Sequence, residues 1–455
     1  MAMEKQQNRP NVLFLFSDQQ RYDTVSCYGE EPGARLKLTP NLDRLAAEGT
    51  RFNHAYTCQP VCGPARACIQ TGLYPDALGC HVNDRMLPEG TKTIAEYFNE
   101  AGYETAYVGK WHLASQYSFG NDPRKIDNKT KAIPEKYRGG YKDFWIASDV
   151  LEFTSHGYGG YMYDAEGKKR EFTGYRVDAT TDFALEYLQK PKDKPFFLFV
   201  SYIEPHYQND HMHHEGPEGS REKYRDFPVP GDLEGTKGDW IEEMPDYLGC
   251  CRSLDENVGR LVDYLKKAGL YENTIIFYTS DHGSHFRTRN QEYKRSCHDS
   301  SIHIPLLAKG GCFDGGHVVD ELVSVVDYAP TLLNAAGIEA AGMKGRPIQE
   351  LLKPGAEPIH EEVFIQISES CVGRALRTRD YTYAVQAEEG FDLELPAADV
   401  YQEAYLYDMR KDPYQKKNLA ADASYAEVRK QLREKLIQKI REEEGRTARI
   451  VKAGP

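Results

Sequence analysis

Strand-sized apolar runs that each end in a cluster of polar side chains constrain this chain more than any other feature. Asn11 to Phe16 (NVLFLF) is apolar almost without interruption and stops at Ser17-Asp18-Gln19-Gln20-Arg21. Tyr103 to Val108 runs into Gly109-Lys110-Trp111-His112, and Pro195 to Tyr202 into Glu204-Pro205-His206. Asn273 to Thr279 delivers Ser280-Asp281-His282-Gly283, and a further strand is expected at Ile304 to Ala308. Runs of this kind suit central strands buried on both faces. In open sheets built from them, ligands bind at the carboxyl ends of the strands.

Helical patterns separate these runs. Thr39-Pro40-Asn41 opens a helix that Gly49 closes, and further helices are expected around Thr93–Ala101, Asp178–Gln189, Asp246–Lys267 and Asp327–Ala336. The alternation predicts an α/β fold with a doubly wound, mostly parallel sheet over residues 1–358. From 359 to 455 the texture changes to short strands at Glu362–Ile367, Arg374–Thr378 and Tyr381–Gln386 and a charged helix over Tyr425–Glu444, a smaller α+β subdomain. Ser115 to Tyr175, rich in Tyr, Gly, Lys and Asp, is expected to be an excursion of loops and short strands that shapes a pocket.

A chain of 455 residues exceeds what one simple core organises, which agrees with two units. The net charge of −13 argues against a general nucleic-acid binder, while leaving room for a local group of cations facing an anionic substrate. The longest apolar runs are too short to span a membrane, and the polar stretch Met1–Pro10 lacks the apolar core of a secretion signal. Ten cysteines in a chain this long, with Cys250 and Cys251 adjacent, suit a reduced compartment, so a cytoplasmic location is expected.

Cys62-Gly63-Pro64-Ala65-Arg66 carries the chemistry. Pro64 suits a first helical turn, which puts Cys62 at a helix N-terminus, where backbone N–H groups and the macrodipole favour an anion. Arg66, one turn on, could grip two oxygens of a tetrahedral oxyanion. Alone, the motif reads better as a half-buried cysteine beside a surface arginine. The strand ends change that. Asp18, Gln19, Asp281 and His282 make a hard-cation site, in which oxygen ligands favour Ca²⁺ or Mg²⁺ and the imidazole admits Mn²⁺. Arg66, Lys110 and Lys294 would surround the other side. A metal with three cations against two carboxylates is a site for a tetrahedral oxyanion. His211, His213 and His214 form a second tract, read here as loop histidines rather than a metal site.

Cys-x-Pro-x-Arg, Asp-Gln after the first strand, Gly-Lys-Trp-His and Asp-His-Gly together resemble the type I sulfatases of the alkaline phosphatase superfamily. The resemblance extends to Ala375-Leu376-Arg377-Thr378, Leu406-Tyr407-Asp408, Asp412-Pro413 and Asn418-Leu419 near the C-terminus. It implies that a maturation enzyme converts Cys62 to formylglycine (3-oxoalanine), whose hydrated form attacks sulfur. It also implies that Arg66 and Lys110 hold nucleophile and sulfate, that His112 is the base, and that His206 and Lys294 assist the leaving group. Asp18, Gln19, Cys62, Asp281 and His282 match the metal site, with Ca²⁺ in most relatives. His298 is a candidate substrate contact. The implied partners are a small sulfated sugar or metabolite and the maturation enzyme. Gln19 and His282 stand where many relatives have Asp and Asn, variants that resemble phosphonate monoester hydrolases and phosphodiesterases, so a phosphonate or phosphate diester hydrolase is the alternative enzyme. Ala65 replaces a serine common in relatives. A catalytically dead binding protein is the reading from another class, and the full set of Lys110, His112 and Lys294 argues against it.

Overall fold

The computed structural model describes residues 9–117 and 123–452. Most of the polar N-terminal stretch, residues 1–8, and residues 118–122 of the excursion lie outside the described residues. Eleven strands form the main sheet among the described residues: β1 (Asn11–Ser17), β2 (Thr50–Tyr56), β3 (Glu104–Lys110), β4 (Phe144–Ser148), β5 (Tyr158–Asp164), β6 (Lys169–Tyr175), β7 (Phe196–Ser201), β8 (Thr274–Ser280), β9 (His303–Ile304), β10 (Leu306–Lys309) and β11 (His317–Ser324). They lie in the order β11-β2-β10-β8-β1-β7-β3-β4-β5-β6, with β9 on β2. The centre, β8-β1-β7-β3-β4, is parallel throughout. β10 runs antiparallel between β8 and β2, and β5–β6 is an antiparallel hairpin on the far edge.

The apolar runs fill two cores because successive strand residues face opposite sides of the sheet. Val12, Phe14 and Phe16 join Phe197, Phe199, Ile275 and Phe277 on one face, covered by the helices Cys62–Thr71, Ile94–Glu100 and Tyr328–Ala335. Leu13 and Leu15 join Leu198, Val200, Ile276 and Tyr278 on the other, under the helices Pro40–Glu48, Arg176–Leu188 and Trp240–Lys267. The doubly wound expectation holds.

Two local expectations differ from the structure. The long helix begins at Trp240 rather than Asp246, so Pro245 lies inside it. A proline normally stops a helix, but here Met244, Tyr247 and Leu248 are drawn into a small core with Leu38, Leu233 and Phe286, and packing overrides the local rule. The excursion is also more ordered than its composition suggests: β4 extends the parallel sheet, and β5–β6 extends it further. No helix among the described residues is long and apolar enough to cross a membrane.

The second sheet comprises β12 (Glu362–Ile367), β13 (Gly373–Thr378), β14 (Tyr381–Gln386), β15 (Val400–Asp408) and β16 (Arg449–Val451) in sequence order. Its first four strands are antiparallel and β16 is parallel to β15. Val363, Ile365, Ala375 and Ala384 pack it against Tyr56, Ile302 and Leu322 of the main body. The helix Ala426–Glu444 closes it through Leu432, Leu436 and Ile440.

Candidate active site

The carboxyl ends of β1, β3, β7 and β8 are neighbours in the sheet, and Asp18, Lys110, His206 and Asp281 come off them at one level. The helix Cys62–Thr71 points its N-terminus at that edge, with Cys62 as its first residue. Cys62 Sγ lies 3.4 Å from Asp18 Oδ1, 3.3 Å from His282 Nε2 and 2.8 Å from Lys294 Nζ. Three residues from three other stretches of chain therefore meet at one buried sulfur, with Lys110 on Asp18 and His206 on Lys294 beside them.

The cations divide into two ranks. Lys294 Nζ faces the cavity and also lies 3.2 Å from His206 Nε2. Arg66 and Lys110 stand behind, each 2.9 Å from Asp18 Oδ2. Arg66 Nη1 donates to Ser201 Oγ and to the Lys110 carbonyl, both at 2.8 Å. Its guanidinium is thus committed mainly to protein groups, and as placed it orients Asp18 rather than offering an open fork. Lys110 Nζ also approaches Glu152 Oε2 at 3.3 Å.

The electrostatics follow from this arrangement. Burial alone would raise the Asp18 carboxyl, but Lys110, His206, Arg66 and Lys294 hold it well below the usual range. Asp281 lacks that surplus. Burial and then the Asp18 charge push its carboxyl up to about 7 against Arg66 and Lys294. Burial pushes the Cys62 thiol up to about 12, with Asp18 adding to the shift, so the unmodified side chain is a thiol and not a thiolate. His112, His206 and His282 are all held low, by burial first and nearby lysines second.

A divalent cation fits these residues. One ligand atom from each of Asp18, Cys62, Asp281 and His282 lies within 4.8 Å of the others. Asp281 Oδ2 is buried without a hydrogen-bond partner among the described residues, while its Oδ1 accepts from the Gln19 and His282 backbone N–H groups at 3.0 and 2.9 Å. His282 Nδ1 donates to the Gly283 carbonyl at 2.9 Å, which leaves the Nε2 lone pair facing the carboxylates, as metal-binding imidazoles require. Gln19 lines the same cavity from a left-handed backbone position (φ 67°), its amide nitrogen 3.4 Å from Ser284 Oγ.

A cavity of about 70 Å³ opens onto this cluster. Gln19, Cys62, His112, His206 and Lys294 line it, together with Asn83, Glu152, Tyr207, Asn209, Glu292, Tyr293 and Arg295. His298 is not brought to it. That ring is buried beside Ser296, 3.2 Å from Nδ1, and the Tyr407 hydroxyl, 3.0 Å from Nε2, which ties the second sheet to the main body. Sequence reasoning missed Ser201, Glu152 and Asn83, whose Oδ1 accepts from the Gly63 N–H at 2.9 Å. Ser201 ends a strand already singled out and could have been found there; Glu152 and Asn83 sit in stretches without periodicity.

Comparison with known proteins agrees with this geometry. Residues 10–338 match the sulfatase family, and residues 291–442 match the C-terminal region of N-sulphoglucosamine sulphohydrolase. An ulvan-active sulfatase of Formosa agariphila is 30% identical over 97% of this chain and 83% of its own length. An N-acetylglucosamine-6-O-sulfatase of Bacteroides thetaiotaomicron is 26% identical over 94% of this chain and 86% of its own. The solved structure of BT4656 in complex with D-glucosamine-2-N,6-O-disulfate shares the fold, with a TM-score of 0.75, 23% identity and coverage of 96% of this chain and 98% of that one. With a sulfatase match spanning most of its length and an acid–cation cluster around a buried cysteine, the chain belongs to the sulfatase family and is a hydrolase of sulfate esters.

Proposed function

We propose that the enzyme removes sulfate from a sulfated sugar, using Cys62 after conversion to formylglycine and a divalent cation, Ca²⁺ first among the candidates. The observation that carries this reading is Cys62 Sγ at the cavity wall, within 3.4 Å of both Asp18 and His282 and 2.8 Å from Lys294. Asp18, Asp281, His282 and the residue 62 side chain would hold the cation, with the Gln19 side chain beside them. Bound there, it would polarise a sulfate oxygen and favour the deprotonated nucleophile. As hydrated formylglycine, residue 62 would supply one hydroxyl to attack sulfur and a second to release sulfate.

The remaining roles belong to groups in place. Lys110 and Arg66 keep Asp18 ionised and aimed. His112 lines the cavity, with its buried Nδ1 lacking a hydrogen-bond partner among the described residues, and is the base for the second hydroxyl. Lys294 and His206 face the position of the departing oxygen. The sugar reading rests on the two sugar-sulfatase relatives and on polar rim groups, Asn83, Asn209 and Glu292, suited to hydroxyls. Peptide mass spectrometry should find Cys62 as formylglycine in protein coexpressed with a maturation enzyme. That protein should desulfate members of a panel of sulfated monosaccharides and lose activity on chelation, with recovery by Ca²⁺. Fully active protein carrying only the free thiol would overturn the nucleophile; turnover of aryl sulfate but of no sugar sulfate would overturn the substrate class.

A further inference from the structure

The strap 208–215 leaves the catalytic rim at Tyr207 and Asn209 and carries the histidine tract. Its members have different fates. His214 is buried, 3.0 Å from Glu243 through Nδ1, and anchors the strap. His211 and His213 face outward. His211 Nδ1 pairs with Glu215 Oε1, and Glu215 Oε2 accepts the Gly157 N–H. His213 Nδ1 lies 2.8 Å from the His214 carbonyl, which can only accept, so Nδ1 carries the proton and Nε2 keeps its lone pair.

The strap is also held in shape. Gln208 and His213 close it through a 3.0 Å backbone bond, and Met212 N donates to the Gln208 carbonyl at 2.9 Å. The Gln208 side chain is fixed by the buried Arg176 at 3.1 Å and by the Glu152 carbonyl at 2.9 Å. Met212, between the two histidines, has φ 59°, in the left-handed region. That turn puts His211, His213 and Glu215 on one side, with a ligand atom of each within 4.8 Å of the others. Ligands about 2.0–2.1 Å from a tetrahedral ion stand roughly 3.3 Å apart, so small rotations close the set.

We propose that His211, His213 and Glu215 form a second metal site, at the rim of the catalytic cavity, for one borderline divalent cation of the zinc type. Two imidazoles and a carboxylate suit such an ion better than calcium. The outer contacts that orient metal ligands are present: the His214 carbonyl on His213 and the Gly157 N–H on Glu215. A neighbouring group, His156, Asp210 and His211, shares His211, its His156 ring stacked on His211 at 4.0 Å between centroids. Asp210 is exposed, whereas His213 and Glu215 are half-buried, so the ion takes the better-enclosed Glu215 side.

Calorimetric titration of Zn²⁺ into the full-length protein, in buffer holding saturating Ca²⁺, tests this. One equivalent should bind, at least tenfold more weakly to His213→Ala and to His211→Ala, and within threefold of the parent affinity to His156→Ala and Asp281→Asn. His213 and His211 lie on the outer side of the strap, so their removal leaves the core intact. Absence of zinc binding, binding that survives His213→Ala, or binding lost in Asp281→Asn would each overturn the proposal. Loss in His156→Ala with retention in His213→Ala would move the ion to the other group and overturn it equally.

Discussion

Lys294 Nζ stands 2.8 Å from the residue 62 side chain and 3.2 Å from His206 Nε2, on the open side of the sulfur, whereas Arg66 and Lys110 bind Asp18 behind it. The difference separates two kinds of cation. As the S–O bond breaks, charge builds on the departing oxygen, and a group that neutralises it matters most when the alcohol is a poor leaving group. Lys294→Ala and His206→Ala should therefore cost more on sugar or alkyl sulfates than on activated aryl sulfates, by about 1.4 kcal/mol or more, a tenfold change in relative kcat/KM. Arg66→Ala should depress both classes alike, since it acts through Asp18. The check is a series of esters of graded leaving-group pKa; parallel plots for Lys294→Ala and the parent would remove Lys294 from that role. Cys62→Ala should abolish turnover with an unchanged melting temperature to within a few degrees, because the side chain is in no disulfide. Asp281→Asn should weaken the catalytic cation. It also relieves a carboxyl that burial and Asp18 push up to about 7, so calorimetry should show weaker Ca²⁺ binding by a protein no less stable when metal-free.

Lys110 reaches Asp18 because β3 lies against β7 closely enough to exclude any side chain at Gly109. That glycine has φ 112°, and a Cβ built on it would sit 1.9 Å from the Ser201 carbonyl oxygen. The same approach lets Ser201 Oγ and the Lys110 carbonyl share Arg66 Nη1. Gly109→Ala should consequently destabilise the fold by about 2 kcal/mol or more and lower kcat by displacing Lys110, measurable by denaturant unfolding and steady-state rates. Activity within twofold of the parent would show that the close approach does not matter. At this scale the sequence was legible where a physical signal repeats. Apolar runs located β1, β3, β7 and β8, and the polar residues past their ends gather in one buried cluster, because strand order places those ends side by side. It was illegible where contact is settled across the chain. Glu152 reaches Lys110 from an aperiodic stretch. His298, only four residues past Lys294, turns instead to Ser296 and Tyr407, and nothing in local spacing distinguishes those outcomes. The resemblance motifs named Arg66 as a site residue but not the partners that occupy its guanidinium.

Across the whole molecule, one arginine joins the catalytic body to the second sheet and the last helix. Arg374 on β13 is fully buried and pairs with Asp76, just beyond the Cys62 helix, and with Glu444 at the end of the helix Ala426–Glu444. Phe364, Leu376 and Tyr383 of the second sheet belong to the same apolar core as Phe14 and Phe199, so the two sheets should unfold together. Arg374→Met would leave the buried Asp76 carboxylate without its paired cation, and Glu444 with only Arg446 at 3.5 Å, a change that costs about 3–5 kcal/mol in comparable buried pairs. The cost should depend on pH in a definite sense. Burial, partly opposed by Arg374, pushes the Asp76 carboxyl up to about 7. A folded value above the unfolded one means that the native state holds the proton more tightly. That contribution is fully present below the ordinary carboxylate range near 4 and is lost as pH rises through 7. In the parent this loss ends above pH 7, where Asp76 is ionised in both states. Without the guanidinium the folded value rises further, and the loss continues into alkaline solution by up to about 1.4 kcal/mol per pH unit for Asp76. Denaturant unfolding at pH 6 and pH 8.5 should therefore show parent and Arg374→Met diverging as pH increases. A gap that stays constant, or narrows, would mean that removing Arg374 does not raise the Asp76 carboxyl further, and that the guanidinium is not what opposes its burial.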